Sequence, residues 1–164
     1  MPEGSEPDIE SIEQAIERYR SALPLLKPAA AQTLRVQKLL ADALAASGKR
    51  RLDPARLDEA AAVYRGLLAP AATKPDVATS GNYRLGLATV LREIGRIRTD
   101  AAAIDEAISV LTEIEAQAAP RWLVDHSRQL LVEYRVLQRQ LAGQRADAPA
   151  HATVTVGRLL QRRS

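Results

Sequence analysis

Apolar residues along this chain recur every three or four positions over long runs, and the runs break at proline, glycine and capping residues. That is the pattern of amphipathic helices. Ile9, Ile12, Ile16, Tyr19 and Leu23, with Ala15 between them, predict a first helix over residues 8–26 that Pro24 ends or bends in its last turn. A second helix is expected to follow Pro28, a residue suited to a first helical position because it lacks an N–H, and to run through Leu34, Leu39, Leu40 and Leu44 to Gly48 as its C-cap. Beyond a basic loop at 49–52, Asp53-Pro54 supplies a cap and a first residue for a third helix, which presents Leu57, Ala60, Ala61, Tyr64, Leu67 and Leu68. The fourth helix is read from about Pro75 to Gly95 through Tyr83, Leu87, Val90, Leu91 and Ile94, with Thr73 as its candidate cap. Thr99-Asp100 opens the fifth, with Ile104, Ala107, Ile108, Leu111 and Ile114 facing inward. Pro120 opens the sixth, which shows Leu123, Ser127, Leu130, Tyr134, Leu137 and Leu141 at helical spacing.

The pattern also repeats at long range. Leu40-Ala41-x-x-Leu44-x-x-x-Gly48 returns 47 positions later as Leu87-Ala88-x-x-Leu91-x-x-x-Gly95. At the same shift, Asp53 and Leu57-Asp58-Glu59-Ala60-x-x-Val63 return as Asp100 and Ile104-Asp105-Glu106-Ala107-x-x-Val110. Self-similarity at such a period predicts stacked helical hairpins. The domain organisation expected is a flexible acidic lead at 1–7, a helical repeat domain at 8–143 and a flexible basic tail at 144–164.

Composition supports helices over sheets. The 164 residues suffice for one domain with a core, and the apolar content rests on Ala, Leu, Val and Ile, with no Phe and one Trp. The absence of Cys excludes disulfides and thiolate chemistry. No apolar run approaches the roughly 20 residues of a membrane span, and the acidic start is opposite to a secretory signal. A cytoplasmic location without membrane contact is the expectation. The net charge of +3 is unevenly spread: residues 1–17 hold six acids and no base, whereas 121–164 hold eight Arg against Asp125, Glu133 and Asp147. Such asymmetry suits end-to-end contact between copies or an oppositely charged partner. Nucleic acid is disfavoured, because acids are interspersed outside the tail and base-stacking aromatics are nearly absent.

Catalytic chemistry has little to build on. His126 follows Asp125 directly, so the two point in different directions on a helix, and His151 falls in the tail. Asp58-Glu59 and Asp105-Glu106 follow their helix caps, where acids complement the helix dipole better than they suggest a metal. No phosphate-binding loop, zinc-protease spacing or nucleophile elbow occurs. The chain is therefore read as a non-enzyme, without cofactor or metal.

Leu40, Ala41, Leu44 and Gly48, followed by Ala60, Tyr64 and Leu67, resemble the small and large positions of the tetratricopeptide repeat. The second copy matches through Leu87, Ala88, Leu91, Gly95, Ala107, Leu111 and Ile114, while Ala15, Tyr19 and Ala22 resemble the second helix of a preceding unit. The resemblance covers about residues 8–141. Its 47-residue shift departs from the usual period of about 34, and it looks like the extended repeats found in bacterial proteins. It implies an all-α, tetratricopeptide-like α-solenoid of six antiparallel helices in three stacked hairpins. It also implies a concave groove lined by Arg35, Lys38, Asp42, Ala45, Asn82, Leu85, Thr89 and Arg92. Such a mildly basic groove suits a protein or peptide segment, acidic or carboxylate-ended, with one or two apolar anchors. The chain ends suggest a second surface. Glu10, Glu13 and Glu17 make the first end polar, as a cap requires. Trp122 is expected to cover the last hairpin, and Val132, Val136, Arg128, Arg135 and Arg139 leave a mixed flank for a homo-oligomer or partner.

Overall fold

The computed structural model describes residues 7–69 and 75–148. Six helices follow one another in it: α1 Ile9–Ala22, α2 Ala31–Arg51, α3 Pro54–Leu68, α4 Val77–Arg98, α5 Ala101–Ala116 and α6 Arg121–Asp147. A 3-10 turn at Leu23–Leu25 closes the first helix, around Pro24, and no strand occurs among the described residues. The all-α expectation holds. Among the described residues, no helix is long and apolar enough to cross a membrane.

Aspartates set most of the helix starts. Asp8, Asp53, Asp76 and Asp100 each accept a backbone N–H of the first turn, from Ser11 at 2.7 Å, Ala55 at 2.9 Å, Thr79 at 2.9 Å and Ala102 at 2.9 Å. For Asp8 and Asp76 these backbone donors hold the carboxyl below its ordinary pKa. Thr73 lies outside the described residues, and Asp76 caps α4 instead. Pro28 and Pro75 stand outside the helices they were expected to open. Ala29, in the left-handed region at φ 59°, breaks the chain between Pro28 and the start of α2, and the Asp76 cap separates Pro75 from α4.

The helix ends correct the sequence reading at Gly48 and Gly95. Neither glycine has a positive φ, and α2 runs three residues past Gly48, through part of the expected basic loop, to Arg51. The left-handed residues are Leu52 at φ 51° and Thr99 at φ 54°, and the N–H groups of Asp53 and Asp100 return to the Gly48 and Gly95 carbonyls, each at 2.9 Å. This is a Schellman ending in which a non-glycine residue takes the left-handed position. The glycines serve close approach. A Cβ on Gly48 would lie 2.7 Å from Leu57 Cγ, and one on Gly95 would lie 2.4 Å from Ile104 Cδ1.

Each helix packs on its neighbours in sequence, and α2 also touches α4, as α4 touches α6. The core runs continuously from Ile12 and Ile16 on α1 to Leu123, Leu131 and Tyr134 on α6. Ala41, Ala60, Ala88 and Ala107 are all 0% exposed, so the small positions of both repeats sit where helices meet. On α6 the inward residue is Leu131, with Leu130 only partly buried, because the step of four from Ser127 carries the stripe one position further than expected. The paired acids also differ from the sequence reading. Glu59 bonds Arg20 of α1 at 2.8 Å and Glu106 bonds Arg65 of α3 at 2.8 Å, while Asp58 takes Arg98 at 2.6 Å and Asp105 takes Gln138 at 2.6 Å. They link helices across the array, each exposed ion pair contributing about 0–1 kcal/mol.

Candidate functional site

The predicted groove residues divide into two sets. α2 and α4 run side by side in the same direction, and their first halves border an open cavity of about 420 Å³. Arg35, Lys38 and Asn82 line it together with Leu34, Thr79 and Tyr83. Arg35 is exposed and has no ion-pair partner among the described residues, whereas Lys38 holds Asp42 at 2.5 Å one turn along α2. The Tyr64 hydroxyl donates to the other Asp42 oxygen, and burial, reinforced by that carboxylate, pushes the phenol far above its ordinary pKa. Asp42 is thus fixed from two sides, and it in turn orients the Lys38 ammonium at the cavity.

Asp42, Ala45, Leu85, Thr89 and Arg92 fall outside the lining of this cavity. Leu85 is half-buried against the core, and the Thr89 hydroxyl donates back to the Leu85 carbonyl at 2.9 Å. Arg92 bonds Glu93 at 2.6 Å and stands over the Tyr134 ring, 5.9 Å from its centroid. Glu93 is only 3% exposed and also takes Arg96 at 2.9 Å, so Arg92 belongs to a structural network that compensates a buried carboxylate. The repeat resemblance that selected these residues does not show which of them are already engaged within the fold.

The second expected surface lies on α6. Trp122 is 56% exposed, so it does not cover the last hairpin, and Val132 and Val136 are exposed with it. Arg128 bonds Glu115 of α5 at 2.7 Å, and Arg135 and Arg139 are exposed. Val132 and Val136 thus stand one turn apart among these arginines, and Trp122 lies apart from them, ten positions earlier. His126 is exposed, and no group of three or more metal-ligating side chains gathers among the described residues.

A third surface escaped the sequence reading. Between α1 and α2 lies a cleft of about 670 Å³, lined by Ile12, Ala15, Tyr19, Leu39, Ala43 and Ala46 on its apolar side and by Asp42, Lys49 and Arg50 among its polar residues. Glu13, expected to keep this end polar, turns toward the helix array. It accepts from Ser47 at 2.5 Å and Arg56 at 2.7 Å and pairs with Arg51 at 3.4 Å. The Ser47 hydrogen bond, helped by the two guanidinium groups against the cost of burial, lowers its pKa. The match of Ala15 and Tyr19 to a second helix without its first was the available signal. Comparison with known proteins finds no matching family model, no matching curated protein and no matching solved structure.

Proposed function

We propose that this chain is a non-enzymatic interaction module, a tetratricopeptide-like α-solenoid of three stacked hairpins whose α2–α4 groove binds a protein or peptide segment. The observation that carries the reading is the convergence of Arg35, Lys38 and Asn82 on one apolar-floored cavity of about 420 Å³. Arg35 offers an exposed guanidinium, without an ion-pair partner among the described residues and suited to a carboxylate, Lys38 a pre-oriented ammonium, and Asn82 an amide able to bond a peptide backbone. Leu34 and Tyr83 provide room for an apolar anchor. The ligand class is an acidic or carboxylate-ended segment.

The test is selection from a displayed library of random carboxylate-ended peptides, followed by titration of the selected peptides against wild type and an Arg35→Glu, Lys38→Glu double variant. Enrichment of acidic sequences and loss of binding in the variant are expected. Selected peptides that bind both proteins equally would refute the groove. Arg92 is left out of the variant because a carboxylate there would face buried Glu93. A second reading, self-association through α6, draws on the exposed Val132 and Val136, one turn apart, and on the exposed Trp122 nearer the start of the helix. Light scattering of Val132→Glu and Val136→Glu variants tests it, with a size unchanged from wild type as the refuting result.

A further inference from the structure

Among the described residues, no helix fills the α1–α2 cleft. On the corresponding side of the α3–α4 pair lies α2, with Gly48 against Leu57 and Asp42 bonded to Tyr64. On that side of α5–α6 lies α4, with Gly95 against Ile104 and Arg92 over Tyr134. Ile12, Ala15 and Tyr19 of α1 stand 45 positions before Leu57, Ala60 and Tyr64 of α3, and in α1 they line the open cleft. The segments that fill the other two places share a pattern of large, small, large and small residues, Leu40-Ala41-x-x-Leu44-x-x-x-Gly48 and its copy at 87–95. The small positions admit close backbone approach, and the large ones supply the buried area.

The same spacing recurs beyond α6, as Val156-Gly157-x-x-Leu160-x-x-x-Ser164. Residues 149–164 carry Arg158, Arg162 and Arg163 and no acid, and Asp8 and Glu10 stand at the start of α1, where Lys49 and Arg50 line the cleft beside them. We propose that residues 153–164 of one copy dock in the α1–α2 cleft of a second copy. Direction selects the second copy over the same chain. α2, α4 and α6 run parallel, since Arg35 and Lys38 share a cavity with Thr79 and Asn82, and Gly81 meets Leu123 as Arg92 meets Tyr134. Asp147 therefore lies at the end of the array where α2 finishes, whereas a segment seated as α2 is seated must enter at the opposite end. The 21 residues of α2 span about 31 Å. The five residues 148–152 span at most about 18 Å.

The proposal is independent of the α2–α4 groove and is tested on the full chain by complementation. Leu39→Arg closes the cleft and leaves the segment intact; Leu160→Asp spoils the segment and leaves the cleft intact. Sedimentation velocity should show concentration-dependent association of wild type, a midpoint raised about tenfold or more for either variant alone, and a one-to-one complex when the two variants are mixed. Ala43→Arg provides a second closed cleft should Leu39→Arg fail to fold by circular dichroism, and Arg35→Glu should leave association unchanged. Wild type that stays monomeric, association that survives both substitutions, or variants that fail to complement would each overturn the proposal. The first of these is the result for a segment bound within its own chain, and the second points to the exposed Val132 and Val136 of α6.

Discussion

Gly95→Ala and Gly66→Ala place the same methyl group on two helices and should shift stability in opposite directions. Both glycines sit within helices, at negative φ, so each substitution gains the same helix-propensity and unfolded-state term of about 0.5–1 kcal/mol. That term cancels in the comparison. At Gly66 the new Cβ meets nothing within 4 Å. At Gly95 it would lie 2.4 Å from Ile104 Cδ1, 2.7 Å from Cγ1 and 3.0 Å from the Asp100 carbonyl oxygen. Ile104 is fully buried and the Asp100 backbone is held by its bond to Gly95, so neither yields freely. Overpacking of this kind costs about 1–3 kcal/mol, and that is the expected difference between the two variants. With a melting temperature moving about 2–4 °C per kcal/mol in a chain of this size, calorimetry resolves it. Gly48→Ala, at 2.7 Å from Leu57 Cγ, should behave like Gly95→Ala. Trimming the neighbour in Gly95→Ala, Ile104→Val should give less destabilisation than the two single effects combined, a coupling of about 0.5–3 kcal/mol. If Gly95→Ala raises the melting temperature as much as Gly66→Ala, close approach is not the reason for the glycine.

These glycines show where the sequence was legible and where it was not. Their recurrence 47 positions apart marked a repeated unit, and the repeat is real in the structure: Asp53 and Asp100 cap at φ −99° with ψ of 101° and 102°, and Ala60 and Ala107 are both fully buried. The physical role was misassigned, because a glycine near a helix end fits both a left-handed cap and a close contact, and spacing alone does not separate them. The three-dimensional partner does. The groove shows the same limit. The groove positions implied by the repeat resemblance included Arg35, Lys38 and Asn82, which share one cavity, but the resemblance had no means of showing that Arg92 is engaged by Glu93 and Tyr134. The α1–α2 cleft was harder still, since Glu13 looked like surface charge until Ser47 and Arg56 were seen to draw it inward.

Three further outcomes are expected. Thr99→Gly should stabilise by about 1 kcal/mol, because a β-branched residue at φ 54° is strained and its exposed side chain loses little; an unchanged urea midpoint would contradict the left-handed ending. Ala60→Leu and Ala107→Leu, at fully buried positions, should each destabilise by about 1–3 kcal/mol in the same assay, and urea midpoints unmoved in both would refute the helix contacts described. The last concerns pH and Glu13, whose carboxylate is held by Ser47 at 2.5 Å and Arg56 at 2.7 Å. These partners lower its pKa in the folded chain below the unfolded value of about 4.3. A depressed folded pKa means that the stabilisation is fully present above the unfolded value and is lost as pH falls through the folded one. Glu13→Gln should therefore be less stable than wild type at pH 7, and the gap should narrow on acidification below about pH 4 as the wild-type carboxylate takes up its proton. Taking the difference between the two proteins removes the parallel contributions of Asp8 and Asp76, which are also depressed. Urea melts at several pH values supply the comparison, and a gap that stays constant from about pH 7 to about pH 3, on either side of the ordinary glutamate range, would show that the Glu13 contacts do not depend on its charge.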